Sequence, residues 1–322
     1  MIRWGMIGCG DVTEKKSGPG FQKSEGSSLV AVMRRNSEKA ADYARRHNVP
    51  RWYDDAQKLI DDPEVDAIYI ATHPNSHMEY TLKAAEAGKP VYCEKPLGMS
   101  SEESARMVSF CKERGVPLFS AYYRRALPKF LQIKALLDGG AIGEIRYAHI
   151  AMHRMIAEKD KRQGGSWRVR PEISGGGLIL DIGSHALDLM DWYFGPIEEA
   201  KGFAENQSKT YSADDIVSGS WKHANNIMGS GVFCFNTYKD EDKTTIYGSK
   251  GELSYSVLDI GDPIHLKTQT EEKDIAVERP PEHVAQPLIQ TIVNELLGKG
   301  LCPSSGESGA RTDWVLEKLQ GK

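Results

Sequence analysis

Short runs of β-branched and other apolar residues alternate with helical stretches through the first 120 residues of this 322-residue chain. Such alternation builds βαβ units, whose parallel strands share one sheet, and it therefore predicts an α/β domain. The helices between the strands have recognisable ends, such as the capping box of Ser100 and Glu103 and the stop at Gly115. Five segments are predicted strands: Ile2–Ile7, Ser28–Met33, Ala67–Ala71, Val91–Cys93 and Pro117–Ser120.

The pattern changes after about residue 123, where strand-like runs joined by turns replace the regular alternation. Consecutive strands of this kind favour an α+β domain with an antiparallel or mixed sheet. We predict two domains, residues 1–122 and residues 123–322, and leave open whether the final helices, Pro287–Gly298 and Gly309–Leu319, pack on the first domain. The predicted elements are a helix at Lys129–Leu137 and strands at Ile145–Met152, Ile216–Lys222, Ile227–Thr237, Thr244–Tyr247 and Glu252–Ser256.

Charge and composition exclude several classes of partner. The chain has 41 Lys and Arg residues against 45 Asp and Glu residues, so it lacks the basic footprint of a nucleic-acid-binding protein. It has no secretory leader and no apolar run of about 18 residues, so we expect a soluble cytoplasmic protein that spans no membrane. The five cysteines are odd in number and widely spaced, so neither a disulfide framework nor a metal site is predicted.

A glycine-rich turn, Gly8–Thr13, follows the first predicted strand. Its two glycines allow a tight turn that brings backbone N–H groups to a pyrophosphate at a helix N-terminus. Its position as the first βα turn of an alternating chain favours dinucleotide binding over a plain strand–turn–helix. Thr13 occupies the place of the third fingerprint glycine, and Lys15–Gly20 cannot form a long regular helix. The residues assigned to the binding turn are Gly8, Gly10, Asp11 and Val12.

The end of the second predicted strand carries Arg34 and Arg35. A carboxylate at this position would accept a hydrogen bond from the ribose 2′-hydroxyl of NAD, whereas an arginine fork can clasp a 2′-phosphate. Two solvated arginines at the start of a helix are the alternative interpretation. Given a dinucleotide site, we predict NADP(H) as the preferred cofactor, with NAD(H) as the second choice.

Two further strand ends carry polar residues. The first follows Ala71, at the carboxyl end of a strand, where ligands of open α/β sheets bind. His77, a few residues further on, is expected to be a helix-surface histidine. At the second strand end, Lys95 lies between the strand terminus and Pro96. This position favours a functional lysine over an ordinary surface lysine. The predicted cofactor-lining residues at these two ends are Thr72, His73, Pro74, Asn75, Glu94 and Lys95.

A third group lies in the second predicted domain, where Gly175–Gly177 precedes Asp181 and His185. In a helix these two residues stand at i and i+4 on one face, and the glycines allow a ligand or backbone to approach. An Asp–His pair on an otherwise apolar helix is costly to bury without a function. The alternative is that the polar residues satisfy each other at the start of the helix.

Together, these motifs resemble those of the Gfo/Idh/MocA oxidoreductases, a family that includes glucose–fructose oxidoreductase and inositol dehydrogenase. The resemblance rests on the Gly8–Gly10 turn, on Glu94–Pro96, and on the path from Gly175–Gly177 to Asp181 and His185. It extends to Ile246–Leu253, which is similar to a hairpin of the family's second domain. Within the family, the chain is most similar to the NADP-using reductases of the 1,5-anhydrofructose reductase and dimeric dihydrodiol dehydrogenase type.

The resemblance implies a Rossmann domain followed by an α+β domain with an open, predominantly antiparallel sheet. It also implies that the exposed face of that sheet forms a homodimer or homotetramer interface, and that the substrate is a sugar or polyol. Thr13 and the irregular segment after it depart from the family pattern and affect the expected pyrophosphate contacts. The residues implied are Lys95, Asp181 and His185 as the catalytic set, and Tyr123, Arg124, Trp167 and Arg168 near the nicotinamide and substrate.

The expected chemistry is hydride transfer with movement of a proton on the substrate oxygen. His185, whose ordinary pKa is about 6.5, is expected to act as the general acid or base. Lys95 would stabilise developing charge on the same oxygen, and Asp181 would orient the imidazole or bind a substrate hydroxyl. Side chains suited to a polyhydroxylated ring are Tyr123, Arg154, Trp167 and Asp188.

Two other functions remain open. One is a dinucleotide-sensing regulatory protein without catalysis, which the retained set of proton-transfer residues disfavours. The other is an NAD-linked cyclitol or sugar dehydrogenase that works in the oxidative direction. Cofactor preference and turnover on sugar carbonyls would distinguish these alternatives from an NADP-dependent reductase.

Overall fold

The computed structural model describes residues 1–162 and 165–322. Contacts within the chain define two units, each of them discontinuous in sequence, so a single boundary between residues 122 and 123 does not describe the division. The first unit comprises Met1–Gly98, Glu102–Leu127 and Pro281–Ala310. The second unit comprises Met99–Ser101, Pro128–Pro280 and Arg311–Lys322.

Strands and helices alternate early in the described chain, and strands predominate later. The strands are β1 (Ile2–Ile7), β2 (Ser27–Met33), β3 (Arg51–Tyr53), β4 (Ala67–Ile70), β5 (Val91–Cys93), β6 (Leu118–Ser120), β7 (Ile145–His153), β8 (Ile197–Glu205), β9 (Ile216–His223), β10 (Met228–Cys234), β11 (Glu241–Gly248), β12 (Gly251–Tyr255), β13 (Ile264–Thr268) and β14 (Glu272–Ile275). The helices are α1 (Gly18–Lys23), α2 (Ser37–Arg46), α3 (Ala56–Ile60), α4 (His77–Glu86), α5 (Ser101–Glu113), α6 (Pro128–Asp138), α7 (Glu158–Lys161), α8 (Pro171–Ser174), α9 (Ser184–Phe194), α10 (Gln286–Leu296) and α11 (Gly306–Leu319).

The first unit is built on a sheet in the order β3-β2-β1-β4-β5-β6. Every pairing in this sheet is parallel. The order is that of a doubly wound Rossmann fold, in which the direction of winding reverses between β1 and β4. The predicted Rossmann domain is therefore confirmed, and the reversal marks the place where ligands of such sheets bind.

Apolar side chains cover both faces of the parallel sheet. On one face Trp4 and Tyr69 belong to a cluster with Phe21 of α1 and Ile289 of α10. On the other face Ile68 belongs to a cluster with Met107 of α5. Residues 281–310 thus return to the first unit and complete one layer of its core.

The second unit is built on a sheet in the order β14-β13-β12-β11-β7-β10-β9-β8. Only the pairing of β7 with β10 is parallel among its described strands, which confirms the predicted, predominantly antiparallel sheet. Buried residues alternate with partly or fully exposed ones along the second half of β7 and along β13, as expected when one face of a sheet is covered and the other is not. On the covered face, Gly183 lies against the ring of Phe233 of β10.

The sequence prediction differs from this fold in several elements. Strands β3, β8, β13 and β14 were not predicted, because they are short or carry few apolar residues. Lys15–Gly20 does not form a long regular helix, as expected: the chain makes a π-helical turn at Thr13–Ser17 and continues into the short helix α1. No helix in residues 1–162 or 165–322 is both long and apolar enough to cross a membrane.

Candidate active site

A cavity of about 340 Å³ lies at the carboxyl ends of β1, β2 and β4 in the first unit. Gly8 adopts a φ of +97°, and a Cβ atom there would lie 2.8 Å from the carbonyl oxygen of Ala71. Only glycine therefore fits at this point of the turn. The lining residues are Gly8, Cys9, Gly10, Met33, Arg34, Arg35, Asn36, Ala71, Thr72, His73 and Tyr80.

Thr13 has a structural reason to replace a third glycine. Its side chain is fully buried, and its hydroxyl donates to the carbonyl of Gly10 at 2.7 Å. The carbonyl of Thr13 accepts a hydrogen bond from the Tyr43 hydroxyl at 2.9 Å. At Gly18, on the following turn, a Cβ atom would clash with the Tyr43 hydroxyl. The glycine needed for close packing thus stands later in the helix, after the π-helical turn.

Arg34 lies across the glycine-rich turn. Its Nη1 donates to the carbonyl of Cys9 at 3.2 Å, and the side chain is partly buried, whereas Arg35 is exposed. No Asp or Glu lines this cavity among the described residues. The Cys9 thiol is buried, which raises its pKa to about 11, so it stays protonated at neutral pH. The cavity is therefore suited to an anionic group near Arg34.

The strand end after β4 forms a 3₁₀ turn, Pro74–Ser76, before α4 begins. The Ser76 hydroxyl donates to the Thr72 hydroxyl at 2.8 Å and closes this turn. Pro74 is buried, whereas His73 and Asn75 are exposed, in keeping with a solvent-facing binding edge.

His77 is fully buried, so the expectation of a helix-surface histidine is wrong. Its Nδ1 lies 2.9 Å from the carbonyl oxygen of Pro96, and its Nε2 lies 3.2 Å from that of Thr72. Burial lowers the pKa of the imidazole, because the charged form loses its hydration. The residue therefore connects the strand ends of β4 and β5.

Glu94 is held from the interior of the first unit. The Tyr69 hydroxyl donates to Glu94 Oε1 at 2.7 Å and lies 3.0 Å from the Ser17 hydroxyl. Tyr69 stacks on Tyr92 with ring centroids 4.8 Å apart, and its burial raises the pKa of the phenol well above 10. Neither tyrosine was singled out in the sequence, since both occupy ordinary strand positions. The next residue, Lys95, is half-buried.

Tyr123 and Arg124 share a 3₁₀ turn that follows β6 in the first unit. The guanidinium of Arg124 lies 5.0 Å from the centroid of the Tyr123 ring, and its Nη1 donates to the Tyr123 hydroxyl at 3.1 Å. Arg124 is 5% exposed, so this phenol and guanidinium form a nearly fixed group.

In the second unit, Asp181 lies in a π-helical turn, Ile179–Gly183, and His185 follows in α9. The expected i, i+4 pair is thus helical but does not lie on one regular α-helix. Arg168 Nε donates to Asp181 Oδ2 at 2.8 Å, and the Arg168 guanidinium covers the Trp167 ring at 4.5 Å. His185 is 5% exposed.

The other predicted residues of the second unit differ in their burial and contacts. Gly177 has a φ of +93°, and a Cβ atom there would lie 2.7 Å from Ala213, so the glycine is needed for close backbone packing. Asp188 is fully buried on α9. Arg154 forms an ion pair with Asp240 at 3.3 Å on a partly exposed surface.

Comparisons with known proteins agree with this architecture. Residues 2–122 match the family model described as "Oxidoreductase family, NAD-binding Rossmann fold", and residues 130–254 match the "GFO/IDH/MocA C-terminal domain". "Oxidoreductase P35" of Formosa agariphila is 40% identical over 329 residues, covering 99% of this chain and 98% of that protein. The 1,5-anhydro-D-fructose reductase of Ensifer adhaerens is 26% identical, with 96% and 92% covered.

Solved structures show the same fold. A levoglucosan dehydrogenase in complex with NADH and levoglucosan superposes with a TM-score of 0.87 at 21% identity, covering 99% of this chain and 95% of that one. An aldose–aldose oxidoreductase from Caulobacter crescentus in complex with glycerol gives a TM-score of 0.85 at 22% identity, with 99% and 96% covered. The chain belongs to the Gfo/Idh/MocA family of oxidoreductases, as its motifs indicated. It is therefore an NAD(P)-dependent oxidoreductase.

Proposed function

We propose that this protein uses NADP(H) to transfer a hydride to or from a carbonyl or hydroxyl carbon of a sugar or related polyol. The observation that carries the cofactor preference is the position of Arg34 across the glycine-rich turn, in a cavity without a carboxylate among its described lining residues. The names of the similar proteins, a 1,5-anhydro-D-fructose reductase and a levoglucosan dehydrogenase, support a sugar-like substrate.

The residues of the first unit suit a dinucleotide. The positive φ of Gly8 permits the tight turn after β1, and the helix start after Gly10 favours a pyrophosphate. When bound, the nicotinamide supplies or accepts the hydride. NAD(H) remains the alternative cofactor. The proposed cofactor-binding residues are Gly8, Gly10, Asp11, Val12, Arg34, Arg35, Thr72, His73, Pro74, Asn75, Glu94, Lys95 and Arg124, together with Trp167 and Arg168 of the second unit.

The remaining chemistry is the handling of the substrate oxygen and its proton. We assign general acid and base catalysis to His185 and stabilisation of charge on the oxygen to Lys95. Asp181, which forms an ion pair with Arg168, is assigned to orient the imidazole or to accept a hydrogen bond from a substrate hydroxyl. Tyr123, Arg154, Trp167 and Asp188 remain proposed substrate contacts.

The uncovered face of the mixed sheet supports a homodimer or homotetramer. Phe203 and Met228 are 78% and 60% exposed on strands β8 and β10 of this face. Tyr147 stacks on Tyr247 across β7 and β11 on the same face, with ring centroids 4.4 Å apart. Exposed apolar side chains along one sheet face are typical of a protein–protein contact. Light scattering after size-exclusion chromatography would measure the oligomeric state.

The test of the proposed function is oxidation of NADPH and NADH in the presence of a panel of sugar carbonyls, with Lys95→Ala as the catalytic variant. The parent should consume NADPH with at least one sugar. Loss of a charge-stabilising group should lower kcat by about 10²–10³-fold while NADPH binding survives. Lys112→Ala removes an exposed lysine of the same unit and should change neither value.

Other outcomes would contradict the proposal. Near-normal turnover by Lys95→Ala would remove Lys95 from the mechanism. Dinucleotide binding without turnover on any sugar would favour a regulatory sensor. A preference for NAD+ and polyol oxidation at neutral pH would favour an NAD-linked dehydrogenase.

A further inference from the structure

His77 occupies an unusual position at the first residue of α4. The side chain is fully buried, and its two ring nitrogens face two backbone carbonyls, those of Pro96 and Thr72. Pro96 directly follows Lys95, and Thr72 lines the dinucleotide cavity. One imidazole therefore contacts both strand-end segments to which the proposed function assigns cofactor and substrate chemistry.

A neutral imidazole cannot satisfy both carbonyls. It carries one N–H donor and one nitrogen lone pair, while both of its neighbours here are acceptors. The shorter distance, 2.9 Å from Nδ1 to the Pro96 oxygen, favours donation from Nδ1 and leaves the Nε2 lone pair facing the Thr72 oxygen at 3.2 Å. An imidazolium would donate to both, but burial opposes the charge.

The surroundings of the ring support the neutral form. Burial is the largest influence on the pKa of His77 and lowers it, against the opposing effects of the Pro96, Thr72 and Leu97 backbone and of the Glu94 carboxylate. In the neutral form of His77, donation from Nδ1 to the Pro96 oxygen is the favoured hydrogen bond, because this distance is the shorter of the two. A second contact holds the Thr72 segment: the Ser76 hydroxyl donates a hydrogen bond to the Thr72 hydroxyl.

We propose that His77 is a positioning residue for this reaction, and that it acts mainly by fixing the Lys95–Pro96 segment through the Pro96 carbonyl. This inference rests on the proposed function of Lys95. Its physical basis is that the carbonyl held by His77 belongs to the residue adjoining Lys95, so the hydrogen bond restricts the backbone from which the ammonium group projects. Displacement of a catalytic group by about 1 Å can cost on the order of 10²-fold in rate.

Substitution of His77 by Asn or Gln distinguishes between the two contacts of the imidazole ring. Asn places its amide nitrogen near the position of Nδ1, and Gln places its amide nitrogen near the position of Nε2. His77→Asn should keep the donor to Pro96, and His77→Gln should keep only a donor toward Thr72. His77→Leu removes both contacts with a side chain of similar apolar volume.

The experiment measures kcat with the best sugar substrate, the Kd of NADPH, and the melting temperature of each variant. We expect His77→Asn to retain kcat within about threefold of the parent, and His77→Gln and His77→Leu to lower it by about 10–100-fold. The Kd of NADPH should change by less than about threefold in all three, because Ser76 also holds Thr72. The control is His223→Asn, which removes a buried histidine of the second unit and should lower the melting temperature without changing kcat.

Equal values of kcat for His77→Asn and His77→Gln would overturn the inference, whether both resemble the parent or both are impaired. This comparison holds even if His77→Leu fails to fold. If Lys95→Ala turns over normally in the same assay, the proposed function of Lys95 is wrong and the inference falls with it. If Lys95→Ala is inactive and the Asn and Gln variants are equal, only the inference about His77 fails.

Discussion

The two sheets of this protein bury their strands differently. Every residue of β4 in the parallel sheet is buried, whereas buried and partly exposed residues alternate along the second half of β7 in the mixed sheet. A parallel sheet covered on both faces can present polar side chains only where its strands end. Its candidate site therefore gathers at the ends of β1, β2, β4 and β5, while the candidate catalytic residues of the second unit come from a helical segment on the covered face of the sheet.

Two buried histidines, one in each unit, differ in how well their neighbours match their hydrogen-bonding groups. In the second unit, His223 lies with Nδ1 2.7 Å from the carbonyl of Gly195, and its Nε2 accepts from the Trp221 indole N–H at 3.2 Å. A single neutral tautomer satisfies both of these neighbours. His77, by contrast, faces two acceptors. Both ring nitrogens of His223 are therefore satisfied, whereas His77 lies between two carbonyls that a single neutral tautomer cannot both satisfy.

The largest effect is expected from His185, because the second unit is proposed to supply the proton. His185→Gln should lower kcat by about 10²–10⁴-fold, the typical contribution of a positioned acid or base. The Kd of NADPH should stay near that of the parent if cofactor binding depends mainly on the first unit. Steady-state kinetics and a fluorescence titration with NADPH measure the two values.

A matched control for this variant is His149→Gln, which removes an imidazole from β7 of the same unit, where its Nδ1 lies 3.0 Å from the Ser230 hydroxyl. We expect parent-like kcat from this control. A His185 variant that loses both NADPH affinity and kcat would contradict the proposal that the first unit binds the cofactor and the second unit supplies the proton.

Substitution of Arg34 is expected to have a smaller effect, limited to the preference for NADPH over NADH. Arg34→Asp removes a cation and introduces a carboxylate, which repels a 2′-phosphate and can accept from a ribose hydroxyl. Hydrogen bonds to charged groups contribute about 1.5–3 kcal/mol, so the ratio of kcat/KM for NADPH over NADH should fall by about 10–100-fold. Arg35→Asp, at the exposed neighbouring position, should change the ratio less. An unchanged ratio in Arg34→Asp would mean that Arg34 does not contact the phosphate.

The contrast between the units also explains which parts of the fold could be predicted from sequence. Strands β1 and β5 were predicted with the bounds observed, because buried parallel strands are apolar runs bounded by turn residues. Helix caps also follow local sequence: the Asn36 side chain accepts from the Lys39 N–H at the start of α2. Strands β8 and β14 were missed because the sequence Glu272–Ile275 and much of Ile197–Glu205 are charged and exposed.

The site was predictable where chemistry follows local sequence and not where it depends on tertiary contact. The turn at Gly8, the arginine at 34 and the strand end at Thr72 line one cavity, as their positions after β1, β2 and β4 indicated. The burial of His77 depends on Pro96, 19 residues away, which no local pattern reveals. The support of Glu94 by Tyr69 spans 25 residues and is equally hidden. The π-helical turn at Ile179–Gly183 was not predicted either.

The smallest effect is expected from a surface cluster of the first unit that supports the binding turn without joining its chemistry. Glu14, in the π-helical turn, accepts two hydrogen bonds from Arg46 at 2.7 and 2.8 Å and lies 2.8 Å from His47 Nε2. These contacts, with the Arg46 hydrogen bond first among them, lower the pKa of Glu14 to about 2. The stabilising contribution of the carboxylate is therefore complete above its unfolded-state pKa of about 4.3 and is lost as the pH falls toward 2.

Glu14→Gln should consequently lower the melting temperature slightly at pH 7, and the difference from the parent should shrink as the pH falls from 4.5 toward 2. The side chain of Glu14 is 34% exposed, so solvent screening limits the effect to about 1 kcal/mol or less. Glu79→Gln, which breaks an exposed ion pair with Lys83, should cost still less. Both variants should keep kcat and the NADPH-to-NADH ratio of the parent. A Glu14 variant with impaired NADPH binding would instead show that the surface cluster sets the geometry of the glycine-rich turn, and the division between supporting and binding residues in the first unit would have to be redrawn.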